Sequence, residues 1–552
     1  MPDRFTTGDY LLTRLAEIGI RHVFGVPGDY NLAFLDHVLD SEQLTWVGNA
    51  NELNAAYAAD GYARLHGAGA LLTSYGVGEL SAINGIAGAY AEYVPVIHVV
   101  GAPTTSAQRA GAPVHHTFGD GDYRHFARAH AEVTVAQAYV SAGNATAEID
   151  RVLATILRQR RPGYLVLPVD VAAGPAELPP GPLTVPPPDA SLRVLEGFTA
   201  AARSMLSGAG SLAVLADFLA DRFTVRRELA DLVSVGQIPH ATLSMGKGLF
   251  DESNPDFAGT YSGAASAKPT RAAVEDADVL ISVGVRFTDS TTSGFSQQID
   301  PERTIDVQPF ATRIGGREFA PLPMQDAVRA LTAVLGQLGR SWARPDLPEE
   351  PDAGPPASGE LRQGQLWPAV QRFLRPGDIV VAETGTALFG AQTMRLPAGV
   401  TFIGQPLWAS IGYTLPAALG AQLAAPGRRT ILLIGDGAAQ LTAQEIGTLL
   451  RENCAPIVVV INNDGYTIER AFHGPDQRYN DIPRWNWALL PAAMGGQAVQ
   501  IARASTLAEF TAALDSFADP ANLVLLEAIL PKTDVPEPLS ALARASNRPP
   551  TS

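Results

Sequence analysis

Cysteine is nearly missing from this chain: Cys454 is the single one in 552 residues, so no internal disulfide can staple the fold. Positive charge is also scarce. Forty Lys and Arg stand against 56 Asp and Glu, a formal net charge of −16, and a surface of that sign repels nucleic acid and anionic membranes. No uninterrupted apolar run approaches the roughly 18 residues of a membrane span. The opening Met1-Pro-Asp-Arg-Phe-Thr-Thr-Gly8 has no apolar signal core. These absences predict a cytoplasmic protein that acts on small soluble ligands. On a prior of roughly 150 residues per domain, the length predicts about three or four domains.

Two proline-rich segments divide the chain, Gly174 to Ser191 and Arg344 to Glu360, and both read as surface linkers. They separate three blocks, 1–180, 192–343 and 360–552. In each block short β-branched runs alternate with helical periods. The runs are Arg21–Val26, Ala70–Ser74, Val94–Val100 and Tyr164–Val169, then Ser211–Ala216, Val279–Val283 and Thr304–Val307, then Asp378–Ala382, Thr430–Ile434, Ile457–Ile461 and Leu523–Ile529. Such alternation predicts an α/β protein of three doubly wound parallel-sheet domains. Ligands then bind beyond the carboxyl ends of the strands.

Gly435-Asp436-Gly437 and Asn462-Asn463 each follow one of those strands, which brings two sets of oxygens to neighbouring strand ends. Oxygens are what Mg2+ prefers, and it completes its octahedron with phosphate and water. Asp436 and Asn463 offer side-chain oxygens and Gly465 a carbonyl. Gly435 and Gly437 allow close approach of a ligand, and Ala438 to Glu452 reads as one helix whose first N–H groups face the same anion. Either motif alone is a common turn. Their pairing at 436 and 463, 27 positions apart, is far more specific.

A strand at Trp46–Ala50 precedes a helix opened by Asn51-Glu52-Leu53-Asn54, which puts Glu52 in a first helical turn. An isolated glutamate there stabilises the helix N-terminus. His115 and His116 are adjacent, so on a regular strand they would face opposite ways. Ala112-Pro113 before them favours a loop, in which both can enter one pocket. Imidazoles there can move protons near neutral pH.

Residues 51–64, Asn-Glu-Leu-Asn-Ala-Ala-Tyr-Ala-Ala-Asp-Gly-Tyr-Ala-Arg, resemble a segment of the thiamin diphosphate-dependent 2-oxo acid decarboxylases. The resemblance extends to Val23–Asn31, Gly76–Ala82, His115-His116, Pro406–Gly412 and Gly465–Glu469. It looks most like the bacterial branch with indolepyruvate, phenylpyruvate and branched-chain 2-oxo acid decarboxylases, which is similar to pyruvate decarboxylase. The resemblance implies a pyrimidine-binding domain, a Rossmann-like middle domain and a diphosphate-binding domain. It also implies homodimers or homotetramers, with each active site between the first domain of one subunit and the third of its neighbour. The implied reaction releases CO2 and an aldehyde from a 2-oxo acid through a thiamin diphosphate ylide and enamine.

Residue by residue, Glu52 would meet the aminopyrimidine, Ile411 would prop the bent cofactor and the Ala409 carbonyl would accept from it. Thr386 and Thr73 would lie nearby, and Gly435, Asp436, Gly437 and Asn463 would hold the diphosphate. Asp436, Asn463 and Gly465 would bind Mg2+. Asp29, His115, His116 and Glu469 would shuttle protons. Ser290, Leu388, Ile468 and Phe472 align with the substrate pocket, where Ser290 and Leu388 replace the bulky aromatics of pyruvate-specific relatives and point to a branched-chain or aromatic substrate. Phe472 acts against that by narrowing the pocket.

Pyruvate decarboxylation and acetolactate-synthase-like carboligation are the alternatives, and carboligases of this family generally lack the histidine pair. A nicotinamide-dependent dehydrogenase should carry Gly-x-Gly-x-x-Gly, whereas Gly76-Val-Gly-Glu-Leu-Ser and Gly435-Asp-Gly-Ala-Ala-Gln lack its third glycine. A catalytically dead binding protein would have lost Glu52 or the metal ligands.

Overall fold

The computed structural model describes residues 5–342 and 359–546, so all but the end of the second proline-rich segment lies outside the described residues. Three sheets, each flanked by helices, form an α/β protein, as the alternating pattern predicts. The first holds β1 (His22–Gly25), β2 (Thr45–Gly48), β3 (Gly69–Ser74), β4 (Val96–Ala102), β5 (Ala136–Tyr139) and β6 (Gly163–Pro168). They are parallel in the order β2-β1-β3-β4-β6-β5. The middle sheet holds β7 (Leu212–Ala216), β8 (His240–Thr242), β9 (Phe257–Thr260), β10 (Val279–Val283), β11 (Thr304–Val307), β12 (Thr312–Ile314) and β13 (Arg317–Phe319). Its order is β13-β12-β11-β10-β7-β8-β9, and β12 and β13 pair antiparallel at one edge. The third is a parallel sheet of β14 (Ile379–Ala382), β15 (Thr401–Ile403), β16 (Thr430–Gly435), β17 (Ile457–Asn462), β18 (Gln500–Ala504) and β19 (Val524–Ile529), ordered β15-β14-β16-β17-β19-β18.

The order of the third sheet reverses between β14 and β16, and that of the first between β1 and β3. A reversal leaves a crevice where the two connections depart to opposite faces. Thr384-Gly385 follows β14 and Asp436 follows β16, while Asp29 lies after β1 and Gly76 after β3. Both crevices therefore carry residues singled out in the sequence.

The first and third sheets share one apolar core, in which Phe24, Tyr57 and Leu71 belong to the same cluster as Ile379, Leu432 and Val458. Two helices, Glu52–His66 and Thr414–Ala424, meet inside it. Their backbones come so close that a Cβ on Gly61 would strike the Ala417 carbonyl and one on Gly420 the Ala58 carbonyl. Glycine is required at both contacts.

The segment Ala438–Glu452 is two helices, Asp436–Thr442 and Glu445–Arg451. Tertiary bonds on either side of the break explain the departure from one continuous helix. Thr442 Oγ1 donates to the Gly412 carbonyl at 2.8 Å, and the buried Glu445 accepts from Asn49 Nδ2 at 2.8 Å and Asn54 Nδ2 at 2.7 Å. Among the described residues no helix is long and apolar enough to cross a membrane.

Candidate active site

A cavity of about 200 Å³ lies at the reversal of the third sheet, lined among others by Thr386, Ile411, Gly435, Asp436, Gly437, Asn463, Gly465, Ile468 and Glu469. Asp436 is buried, and its carboxylate accepts from Gly437 N at 2.9 Å and Gly465 N at 3.0 Å. Burial outweighs these bonds and pushes the carboxyl up to about 7. The amide oxygen of Asn463 faces Asp436 Oδ1 at 3.3 Å and the Gly465 carbonyl at 2.9 Å. Three oxygens that face one another repel unless a cation lies among them or the amide turns its NH2 inward. Adjacent oxygens on a Mg2+ octahedron are ~3 Å apart, so the donor set fits that ion. Gly465, at φ +125°, would clash with the Asn480 carbonyl if it carried a Cβ, and a Cβ on Gly437 would lie 2.6 Å from the Tyr466 ring. Glycine thus permits the close packing of both loops.

Ala409 and Ile411 sit on the loop between Gly404 and Tyr413. Ala409 takes a left-handed φ of 57°, a conformation that a non-glycine residue holds only where its surroundings impose it. Those surroundings come from the first domain. Arg64, almost wholly buried, pairs with Asp60 at 2.6 Å and Glu92 at 2.7 Å, and donates to the Gly404 carbonyl at 3.0 Å. Glu92 accepts from Leu407 N at 3.1 Å and Trp408 N at 3.3 Å, and Tyr413 donates to Asp60 at 2.5 Å. The loop is held at both ends by one buried ionic network. Arg64→Met would leave two buried carboxylates without their counter-ion and is expected to cost about 3–5 kcal/mol, read as a lower midpoint in urea unfolding with weaker cofactor retention.

Glu52 begins its helix behind Asn51, whose side chain caps Asn54 N at 2.8 Å. A Cβ on Gly78 would stand 3.1 Å from Glu52 Oε1 and 3.4 Å from Thr73 Cβ, so these residues are neighbours. Thr73, however, is fully buried and its hydroxyl is bonded to His98 Nε2 at 2.9 Å. That bond turns it into its own domain.

Asp29, His115 and His116 gather at the end of the first sheet. His115 Nε2 lies 2.6 Å from Asp29 Oδ2, and its ring stacks on Tyr30 at 4.9 Å. The histidines occupy a loop, and His116 has a left-handed φ of 63°. Glu469 is in the third-domain cavity, which Asp29, His115 and His116 do not line. Within one chain these four acid and imidazole residues therefore divide three and one.

Of the aligned pocket residues, Ile468 lines the cavity, and Ile468 and Phe472 pack against Phe389, Leu539 and Leu542, the last two on the helix Glu537–Ser546. Ser290 belongs to the middle domain and donates to the Pro406 carbonyl at 3.1 Å. Leu388 does not line the cavity; it is buried with Val380 and Ile431 in a core behind its wall. It follows Thr386 and Ala387 on one helical turn, and that turn rotates it inward.

Sequence reading missed Glu383, which lines the same cavity fully buried. It accepts from Thr414 Oγ1 at 2.5 Å and Thr384 N at 3.0 Å, and burial pushes it up to about 7. Its signal was present: a carboxylate directly after a β-branched strand, as with Asp436.

Family models described as the N-terminal TPP binding domain, the central domain and the C-terminal TPP binding domain of thiamine pyrophosphate enzymes match residues 5–126, 199–338 and 383–528. An alpha-keto-acid decarboxylase of Mycolicibacterium paratuberculosis is 51% identical over 98% of this chain and 97% of its own. Proteins of the same name from Mycobacterium ulcerans and Mycobacterium tuberculosis are 50% and 51% identical, over 99% and 98% of this chain and 97% and 96% of theirs.

Proposed function

This chain belongs to the thiamin diphosphate-dependent 2-oxo acid decarboxylases, and from that premise we propose that it converts a branched-chain or aromatic 2-oxo acid, such as 2-oxoisocaproate, phenylpyruvate or indolepyruvate, to the aldehyde and CO2. When bound, thiamin diphosphate supplies the electron sink that loss of CO2 requires. Asp436, Asn463 and Gly465 would hold Mg2+, and Gly435, Gly437 and Thr386 would border the diphosphate. The buried Asp436 carboxylate, set beside Asn463 and Gly465 in one cavity at the strand ends, is the observation that carries this assignment.

Ile411 and the Ala409 carbonyl orient the cofactor from the loop gripped by Arg64 and Glu92. Glu52 would hold and return a proton at its carboxylate, facing the aminopyrimidine. Asp29, His115, His116 and Glu469 deliver and remove protons as the aldehyde forms. Because those residues divide three and one within a chain, the complete site draws its first-domain groups from a second subunit of a homodimer or homotetramer. Exposed Val77, Leu80, Trp408 and Leu441 supply apolar surface for that contact, and Trp408 reaches the Val77 helix through Asn84 at 2.9 Å. The small Ser290 supports a substrate larger than pyruvate. Cys454, buried and pushed up to about 12 by that burial, is compatible with a reducing cytoplasm.

Aldehyde formation from pyruvate, 2-oxoisovalerate, 2-oxoisocaproate, phenylpyruvate and indolepyruvate, with thiamin diphosphate and Mg2+, tests the reading. Higher kcat/KM for the larger substrates supports it, and a preference for pyruvate refutes the substrate class. In the same panel His116→Phe is expected to slow aldehyde formation by about 10²- to 10⁴-fold while proton exchange on the bound cofactor, followed by NMR, continues at the parent rate. Parent turnover in that variant would remove the histidine pair from the mechanism.

A further inference from the structure

The imidazoles at the end of the first sheet are arranged for more than proton transfer. Asp29, His115 and His116 each offer one ligand atom, and the three atoms lie within 4.8 Å of one another. Two nitrogens and a carboxylate oxygen are a common donor set for zinc, which holds them at about 2.0–2.2 Å and hence roughly 3.3 Å apart when tetrahedral. His115 Nε2 and Asp29 Oδ2, now 2.6 Å apart, would have to part slightly as the three atoms close on an ion, and their 59% and 48% exposure leaves both side chains room to rotate.

A metal-bound histidine is usually oriented by a second partner on its other ring nitrogen. His115 has one: Nε2 faces Asp29 and Nδ1 meets the Tyr30 hydroxyl at 3.3 Å. His116 Nδ1 is buried with no hydrogen-bond partner, and its ring stands edge-on to those of Tyr30 and His115.

We propose that Asp29, His115 and His116 form a second metal site, which takes Zn2+ or a similar transition-metal ion and halts turnover when filled. It does not compete for Mg2+, because the Asp436 site offers oxygens alone and imidazole suits the later transition metals. Once ligated, the two imidazoles can no longer carry protons. This inhibitory consequence rests on the decarboxylase reading; the binding does not.

Co2+ is the probe, added to the holoenzyme in excess Mg2+ and thiamin diphosphate. Binding at the histidine pair is expected to give one equivalent per chain with the strong visible absorption of a four- or five-coordinate ion. An ion in the six-coordinate, all-oxygen Asp436 site absorbs weakly. Zn2+ should displace the band and lower aldehyde formation by about 10²-fold, the scale of a lost general acid or base. His116→Phe and Asp29→Ala should each abolish the band while retaining thiamin diphosphate with Mg2+, whose diphosphate and metal ligands are assigned to the third domain, and that retention also reports folding. A band unchanged in both variants, or no Co2+ bound beyond the magnesium site, overturns the proposal. If no substrate of the panel is turned over but the band and its loss in the variants remain, the decarboxylase reading fails and the metal site stands.

Discussion

Glu52→Gln yields a folded chain that keeps its cofactor and loses aldehyde formation by about 10²- to 10⁴-fold. The amide preserves the size of the side chain and the start of its helix, because the cap comes from Asn51 and the helix body is fixed by its contact with Thr414–Ala424 through Gly61 and Gly420. What changes is the acid–base group. A carboxylate can accept and return a proton at each turnover, whereas an amide cannot. Proton exchange on the bound cofactor should therefore fall in step with turnover, unlike His116→Phe, in which only turnover falls. Exchange at the parent rate in Glu52→Gln would refute the assignment.

Asp436→Ala acts on retention rather than on chemistry. The carboxylate is buried between Gly437 N and Gly465 N and is the one acid of the Asp436, Asn463 and Gly465 set. Loss of an outer-shell partner typically costs a metal site about 10- to 100-fold in affinity, and loss of a direct anionic ligand is expected to cost more. Dialysed Asp436→Ala should fail to regain thiamin diphosphate across a Mg2+ series in which the parent reloads fully, as followed by quenching of tryptophan fluorescence. The strands β16 and β17 are held by apolar packing and should survive. Parent-like reloading after chelation would transfer the metal site elsewhere.

Much of this architecture is legible in the sequence because the central strands are continuous buried runs. Ile431 to Ile434 and Val458 to Val460 are almost wholly inaccessible, and a strand covered on both faces must be apolar along its length. The strands β5, β8, β9, β12, β13, β15 and β18 escaped notice. They lie at sheet edges or next to them, several are three residues long, and a half-exposed strand such as Gln500–Ala504 carries polar residues that blur the pattern.

The same contrast holds at the site. Asp436 and Asn463 are legible because the motif lies beside the strands that aim it. Glu92, Arg64 and Glu445 act through partners hundreds of positions away: Glu92 bonds Leu407 and Glu445 bonds Asn54. No local spacing records such a contact. Leu388 illustrates the converse, since alignment gives its position along the chain while one helical turn decides which way it faces.

The buried Asp60–Arg64–Glu92 network also bears on how this protein can be recombined. It joins helices of the first domain to the Gly404–Tyr413 loop of the third, and the surrounding core belongs to both. The two domains are therefore not interchangeable modules. A chimera that imports only the third domain from a relative would place a foreign loop on a grip shaped for another, whereas one that also imports residues 52–66 and Glu92 would carry lock and key together. Crossover points for shuffling this enzyme lie around the middle domain, and the first and third domains should be inherited as a pair.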